Sequence, residues 1–245
     1  MAALKLSKVT AFVDEHIVDF HAARLASLKR LALTTVLKRK NPYLFKAKYV
    51  IAAPDLVRTV LDAHLSSQEE TLFGSFLEEL AIFVCDQTYG GKKAVAEGID
   101  LVFQRDDITF LVVIKSGPNW GNSSQISKMK ADFAKAVRIY KTNNRRAVVE
   151  YINGCCYGID SQPDKDGYQK LCGQRFWSFL SGNPDLYLDI IEPLGHKAKE
   201  RNDEFAQEYA KLQTRLTLEF ARDFCETDGA INWNKLVQFN SGANR

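Results

Sequence analysis

Two charged residues stand alone in stretches that are otherwise apolar. Asp100 interrupts GIDLVF, and Lys115 closes the run ITFLVVIK. Charges in such surroundings are costly to desolvate unless they are paired or bound to a metal, and arrangements of this kind often mark function. The charges around them are also sorted. Residues 66–107 carry nine acids against three bases, while residues 1–50 carry ten bases against three acids and residues 121–146 carry seven against one. An acidic pocket beside a basic surface suits a protein that holds a divalent cation and grips phosphates. The plainer alternative is a set of solvated helix faces, with Lys115 emerging at a strand end and Asp100 meeting a backbone donor.

The elements that must position this pair can be read from the pattern around them. VAEGIDLVFQ and ITFLVVIK are β-rich, and Arg105–Asp106–Asp107 between them reads as a hairpin turn that lays the two strands side by side. The second run is almost continuously apolar, as expected of a strand buried on both faces. Upstream, a helix over about 70–88 ends before Gly90–Gly91, with Ser66–Ser67–Gln68–Glu69 as a cap. An earlier helix begins near Pro54, and the first one runs from Ser7 to about Lys38, stopped by Asn41–Pro42. Downstream, SGPNWGNSS is a loop, with Ser123 or Ser124 capping a helix to about Thr142. RRAVVEYINGCCYG reads as a strand pair or a strand and turn, 169–181, 183–191 and 196–226 as helices, and the tail resists assignment.

These elements make an α/β protein, and the 245 residues suit one domain with a full core. The expected division is a helical N-terminal arm over 1–65, a core over 70–160 and a mostly helical part over 165–245. No apolar run approaches the roughly 20 residues needed to cross a bilayer. MAALKLSKVTAFVDEH acquires Asp14 and Glu15 too early for a secretory signal, so an intracellular protein is expected. The five cysteines form no CxxC pair, and the four histidines form no HExxH cluster. Buried free thiols are expected, and a metal held by nitrogen and sulfur is not.

Asp100, the apolar strand ending in Ile114–Lys115 and the upstream GSFLEELA resemble the PD-(D/E)xK nuclease superfamily. More narrowly, the chain resembles the PmeII-like type II restriction endonucleases. NPYLFKAK, SSQEETLFGSFLEELAIFV, IKSGPNWGNSSQ, LCGQRFWSFLSG and DIIEPLGHKAKERN carry that likeness, spanning about 41 to 202. The resemblance implies a mixed central sheet flanked by helices, with helical N- and C-terminal additions. It implies Mg²⁺ held by Asp100, Glu78 and the backbone carbonyl of Ile114, with Lys115 positioning the attacking water and balancing charge at the phosphate. Glu78 matches the helix acid of a GxxxExxA-like pattern, with Gly74 and Ala81 at the flanking places.

One departure stands out, because the superfamily has an acid two residues before the lysine and here that place is Val113. Glu78 is the first choice to replace it, with Glu79 and Glu97 as competitors and Gln125 as a neutral ligand. Glu79 should face about 100° away from Glu78 on an ideal helix, so at most one of the two enters the site. Asn119, Asn122, Gln125, Lys128 and Lys130, in the loop and helix after Lys115, are the expected DNA contacts, with Lys135 and Arg138 further along. Asp164, in QPDKDGY, is expected at a turn outside the site.

The function so implied is cleavage of double-stranded DNA at a short specific site by a homodimer in the prokaryotic cytoplasm, with a separate methyltransferase protecting host DNA. A repair or structure-selective nuclease of the same fold, and a catalytically silent DNA-binding protein, are the alternatives.

Overall fold

A computed structural model of the chain describes residues 4–143, 148–195 and 197–243. Arg145 and Arg146 of the basic stretch, and His196 at the expected start of the long helix, lie outside the described residues. Helices α1 (Leu6–Arg30), α2 (Leu33–Lys38), α3 (Pro42–Ala47) and α4 (Ala53–Tyr89) come first. Strands β1 (Lys92–Lys93), β2 (Leu101–Arg105) and β3 (Ile108–Lys115) follow, then helix α5 (Ser123–Asn143) and strands β4 (Val148–Cys155), β5 (Asp164–Lys165) and β6 (Tyr168–Cys172). Helices α6 (Gln174–Ser181), α7 (Leu186–Asp189), α8 (Ile191–Leu194), α9 (Ala198–Phe224) and α10 (Trp233–Ser241) complete the chain. The contacts gather into two compact units, residues 1–18 with 73–196 and residues 19–72 with 197–245.

The first unit holds a mixed six-stranded sheet in the order β1-β2-β3-β4-β6-β5, flanked by helices as expected. β2 and β3 form the predicted antiparallel hairpin, closed by Arg105↔Ile108. Its two turn residues, Asp106 (φ 52) and Asp107 (φ 62), are both left-handed, the geometry that matches a tight turn to the twist of the strands. β3 then pairs with β4 in parallel, which requires the crossover that α5 supplies. Thr109 to Ile114 are all buried, so β3 is the covered central strand its composition predicts. On one face Phe103 and Phe110 stack at 5.0 Å, with Tyr89 and Phe179 against them. A second cluster joins Leu111 and Val113 to Met129, Phe133 and Ala136 of α5.

The second unit is helical, and its core gathers Leu28, Leu33, Val36, Leu56, Leu61, Leu216 and Phe220. The expected single N-terminal helix is broken at Leu31–Ala32. Leu31 and Leu33 are both buried, and two residues apart on one helix they would point some 200° away from each other. Extended backbone at Ala32 (φ −108, ψ 145) lets both enter one core, and Arg215 Nη2 donates to the Leu31 carbonyl at 3.2 Å.

Other boundaries also differ from the sequence pattern. The two helices expected over 54–88 are one, because Ser66–Glu69 lies inside α4. Gln68 donates to Ser27, and Thr71 Oγ1 donates back to the Ser67 carbonyl at 3.1 Å, so these polar groups bond without opening the helix. Residues 169–172, expected as helix, are β6, drawn into parallel pairing with β4 (Gly154↔Leu171, Cys155↔Cys172). Gly173 (φ 53) then turns the chain into α6. The tail forms α10, capped where the Asn232 side chain accepts from Lys235 N at 2.8 Å. Four of the cysteines are buried free thiols and Cys225 is half-buried. Among the described residues no helix is long and apolar enough to cross a membrane.

Candidate active site

One hairpin and one helix assemble the centre, all within the first unit. Asp100 immediately precedes β2 and Lys115 ends β3, so both emerge at the end of the hairpin away from its turn. The register pairs Leu101 with Val112, yet Asp100 N–H also donates to the Val112 carbonyl at 3.0 Å. Two consecutive residues therefore oppose one, a β-bulge, which breaks the alternation of side chains and re-aims the acid. The carboxylate then accepts the Ile114 N–H on Oδ2 at 2.6 Å. The backbone donor raised as the plain alternative is thus present for one oxygen of Asp100.

Glu78 comes from α4 and is half-buried, while Glu79 is exposed, as the rotation between neighbours on a helix requires. One turn earlier, Gly74 has no side chain where β3 exits past the helix. A Cβ built there would lie 2.5 Å from Ser116 Oγ, so only glycine admits this approach without displacing Ser116.

The charges of these residues act on one another. Burial pushes the Glu78 carboxyl above its ordinary value, and the Asp100 charge raises it further against the pull of Lys93 and Lys115. Burial likewise raises Asp100, opposed by the Ile114 N–H bond and then by Lys115 and Lys93. Two carboxylates that resist ionisation beside each other are suited to a divalent cation, which would offset both the desolvation and the repulsion. Their hard oxygens fit Mg²⁺ or Ca²⁺. No group of three or more His, Cys, Asp and Glu gathers as a metal cage among the described residues. A cation here would need further oxygens from backbone, water or substrate.

Lys93, which sequence reasoning passed over, lies with Nζ 3.8 Å from Glu78 Oε1. Its signal was position: it follows the Gly90–Gly91 break and sits opposite Leu101 on the strand beside β2. Val113 is 3% exposed and belongs to the core cluster beneath α5, so its position contributes packing. Glu97 is exposed, and its charge is felt at Lys128. Asp164 is exposed on β5, at the edge of the sheet opposite β1, with the turn at Asp166–Gly167 beside it.

The residues expected to meet DNA follow one another through the loop and the start of α5. Asn119 is exposed. Asn122, rather than Ser123 or Ser124, caps α5. Its Oδ1 accepts from Gln125 N at 3.1 Å, and Gln125 Oε1 accepts from Asn122 N at 2.9 Å, a reciprocal capping box. Lys128 donates to Asp132 Oδ2 at 3.0 Å and Lys130 to Asp166 Oδ2 at 2.8 Å. These lysines lie near solvent, where such pairs are weak and exchange readily for another anion.

The family model described as Type II restriction endonuclease EcoO109I matches residues 7–202, a span that takes in Glu78, Asp100, Lys115 and the whole of the loop into α5. No curated protein matches the chain.

Proposed function

The chain belongs to the type II restriction endonuclease EcoO109I family, and from that premise we propose that it hydrolyses double-stranded DNA at a short specific sequence through a Glu78–Asp100–Lys115 centre. The observation that carries this reading is the pair of half-buried carboxylates whose burial and mutual repulsion a cation would relieve, with Lys115 acting on both. The cation we assign is Mg²⁺, which when bound supplies charge stabilisation at the phosphate and a more acidic water. Asp100 and Glu78 hold it, with the Ile114 carbonyl contributing a further oxygen. Lys115 orients the nucleophilic water and offsets the negative charge that develops on the phosphate. Asn119, Asn122, Gln125, Lys128 and Lys130 approach the DNA. The lysines exchange their present carboxylate partners for phosphate oxygens, so binding should weaken as salt rises.

We further propose a PmeII-like specificity, a homodimer that places one centre on each strand, a cytoplasmic prokaryotic setting and a separate methyltransferase as the protecting partner. The division into arm, core and C-terminal part stands as a functional proposal, with the core over 70–160 carrying the chemistry. A second reading, a silent DNA-binding protein, is favoured by one observation: Val113 is a core residue where the superfamily has an acid.

Digestion of a mapped plasmid with Mg²⁺, beside Asp100→Ala and Lys115→Ala, separates these readings. Discrete bands from the native chain and none from either variant are expected. Undiminished cleavage by both variants would overturn the assignment of the centre. Cutting confined to junctions or damage would point to a repair enzyme, and specific retention without cleavage to the silent protein.

A further inference from the structure

Lys115 Nζ lies 5.2 Å from the centroid of the Trp120 ring. Trp120 stands in the loop between β3 and α5 and packs against the cluster containing Leu111, Val113, Met129 and Phe133. Its Nε1–H is buried with no acceptor among the described residues. Trp177 behaves in the usual way, donating Nε1–H to the Cys156 carbonyl at 2.8 Å. A buried tryptophan ordinarily finds a partner for that donor. A ring that leaves it unpaired is placed by its faces, and here the ring meets the Val113 cluster and the lysine.

We propose that Trp120 is a positioning residue for Lys115, its π face serving as the negative partner of the ammonium at a centre where position 113 is apolar. The inference rests on the reading of Lys115 as the catalytic lysine. The electron-rich face of an indole attracts an ammonium group without neutralising it or binding a cation ligand site. Lys115 is thereby held in place yet remains available to a phosphate. Val113 belongs to the cluster against which the ring packs.

Two variants test the proposal: Trp120→Phe keeps an aromatic face, and Trp120→Met keeps apolar bulk without one. Single-turnover cleavage with Mg²⁺ is measured beside DNA binding with Mg²⁺ omitted. The Met variant should cleave roughly 10- to 100-fold more slowly, with DNA binding unchanged, because the lysine loses its orientation and the substrate does not lose its contacts. The Phe variant should stay within about threefold of native, since a benzene face retains much of the attraction. A Met variant as fast as native, or a Phe variant as slow as Met, overturns the proposal. Lys115→Ala run alongside separates the two levels: native cleavage by that variant refutes the assignment of Lys115 itself, whereas its inactivity beside an active Trp120→Met refutes only the role of Trp120.

Should Trp120→Met fail to fold, the native protein decides. With ¹³Cε-labelled lysine, the Lys115 ε-methylene signal, assigned by its loss in Lys115→Ala, should lie upfield of the solvent-exposed lysines. A position among them overturns the proposal.

Discussion

Gly74 offers a test of how closely the centre is built. Glycine in the middle of a helix costs about 0.5–1 kcal/mol relative to alanine, so Gly74→Ala would stabilise α4 if nothing stood in the way. The new Cβ would lie 2.5 Å from Ser116 Oγ but 3.9 Å from Ser116 Cβ, so the obstacle is the hydroxyl alone. Forcing the hydroxyl off its rotamer costs on the order of 0.5–1.5 kcal/mol, enough to cancel the helical gain. The single variant should therefore be no more stable than native. Gly74→Ala combined with Ser116→Ala removes the obstacle and should gain about 0.5–1 kcal/mol, the helical term alone. In a chain of this length that is a rise of roughly 1–4 °C in melting temperature. Calorimetry and urea titration read the stability, and plasmid cleavage reads the geometry. The single variant should cleave about tenfold or more slowly, because Ser116 adjoins Lys115 and small misplacements at a reacting centre are expensive. The double variant should recover most of the rate. A single variant as stable and as active as the double would refute the idea that close approach to α4 constrains the exit of β3.

Two further outcomes follow from the same geometry. In metal-free buffer at neutral pH, Asp100→Asn and Glu78→Gln should each be more stable than native. Both carboxyls are raised in the fold, so the native state takes up protons more readily than the unfolded chain, and stability falls as pH rises from the ordinary values of 3.8 and 4.5 through the raised ones. The advantage of the amides should accordingly vanish below those ordinary values, and added Mg²⁺ should raise the native urea midpoint while leaving the amide variants behind. At the start of α5, Asn122→Ala removes the cap of a long helix and should cost about 1 kcal/mol by calorimetry, with Gln125→Ala costing less.

What could be read in advance was whatever leaves a periodic trace. The hairpin showed itself in two β-rich runs around Arg105–Asp107, the covered strand in its unbroken apolar composition, and the separation of Glu78 from Glu79 in simple helical rotation. What stayed hidden depended on partners distant in the chain. Ser66–Glu69 has the composition of a cap, and only the bond from Gln68 to Ser27 and the bond from Thr71 back to Ser67 show why the helix continues. YQKLC has no strong strand pattern until β4 supplies a ladder beside it. Lys93 reaches Glu78 because β1 pairs with β2, a two-residue strand too short to announce itself. Trp120 lies five residues beyond Lys115 in the loop that follows β3, a spacing that carries no expectation of contact.

The extra residue opposite Val112 has a bearing on how such centres are recognised in other chains. Counted back from the turn along an ideal ribbon, Asp100 would stand opposite Val113 and on the side of Lys115. A scan that demands strict phase between acid and lysine would accept this hairpin without registering that the acid has slipped. Related sequences are better aligned with a one-residue gap allowed between turn and acid, for the acid can slip by one place while every other rung of the ladder stays where it is.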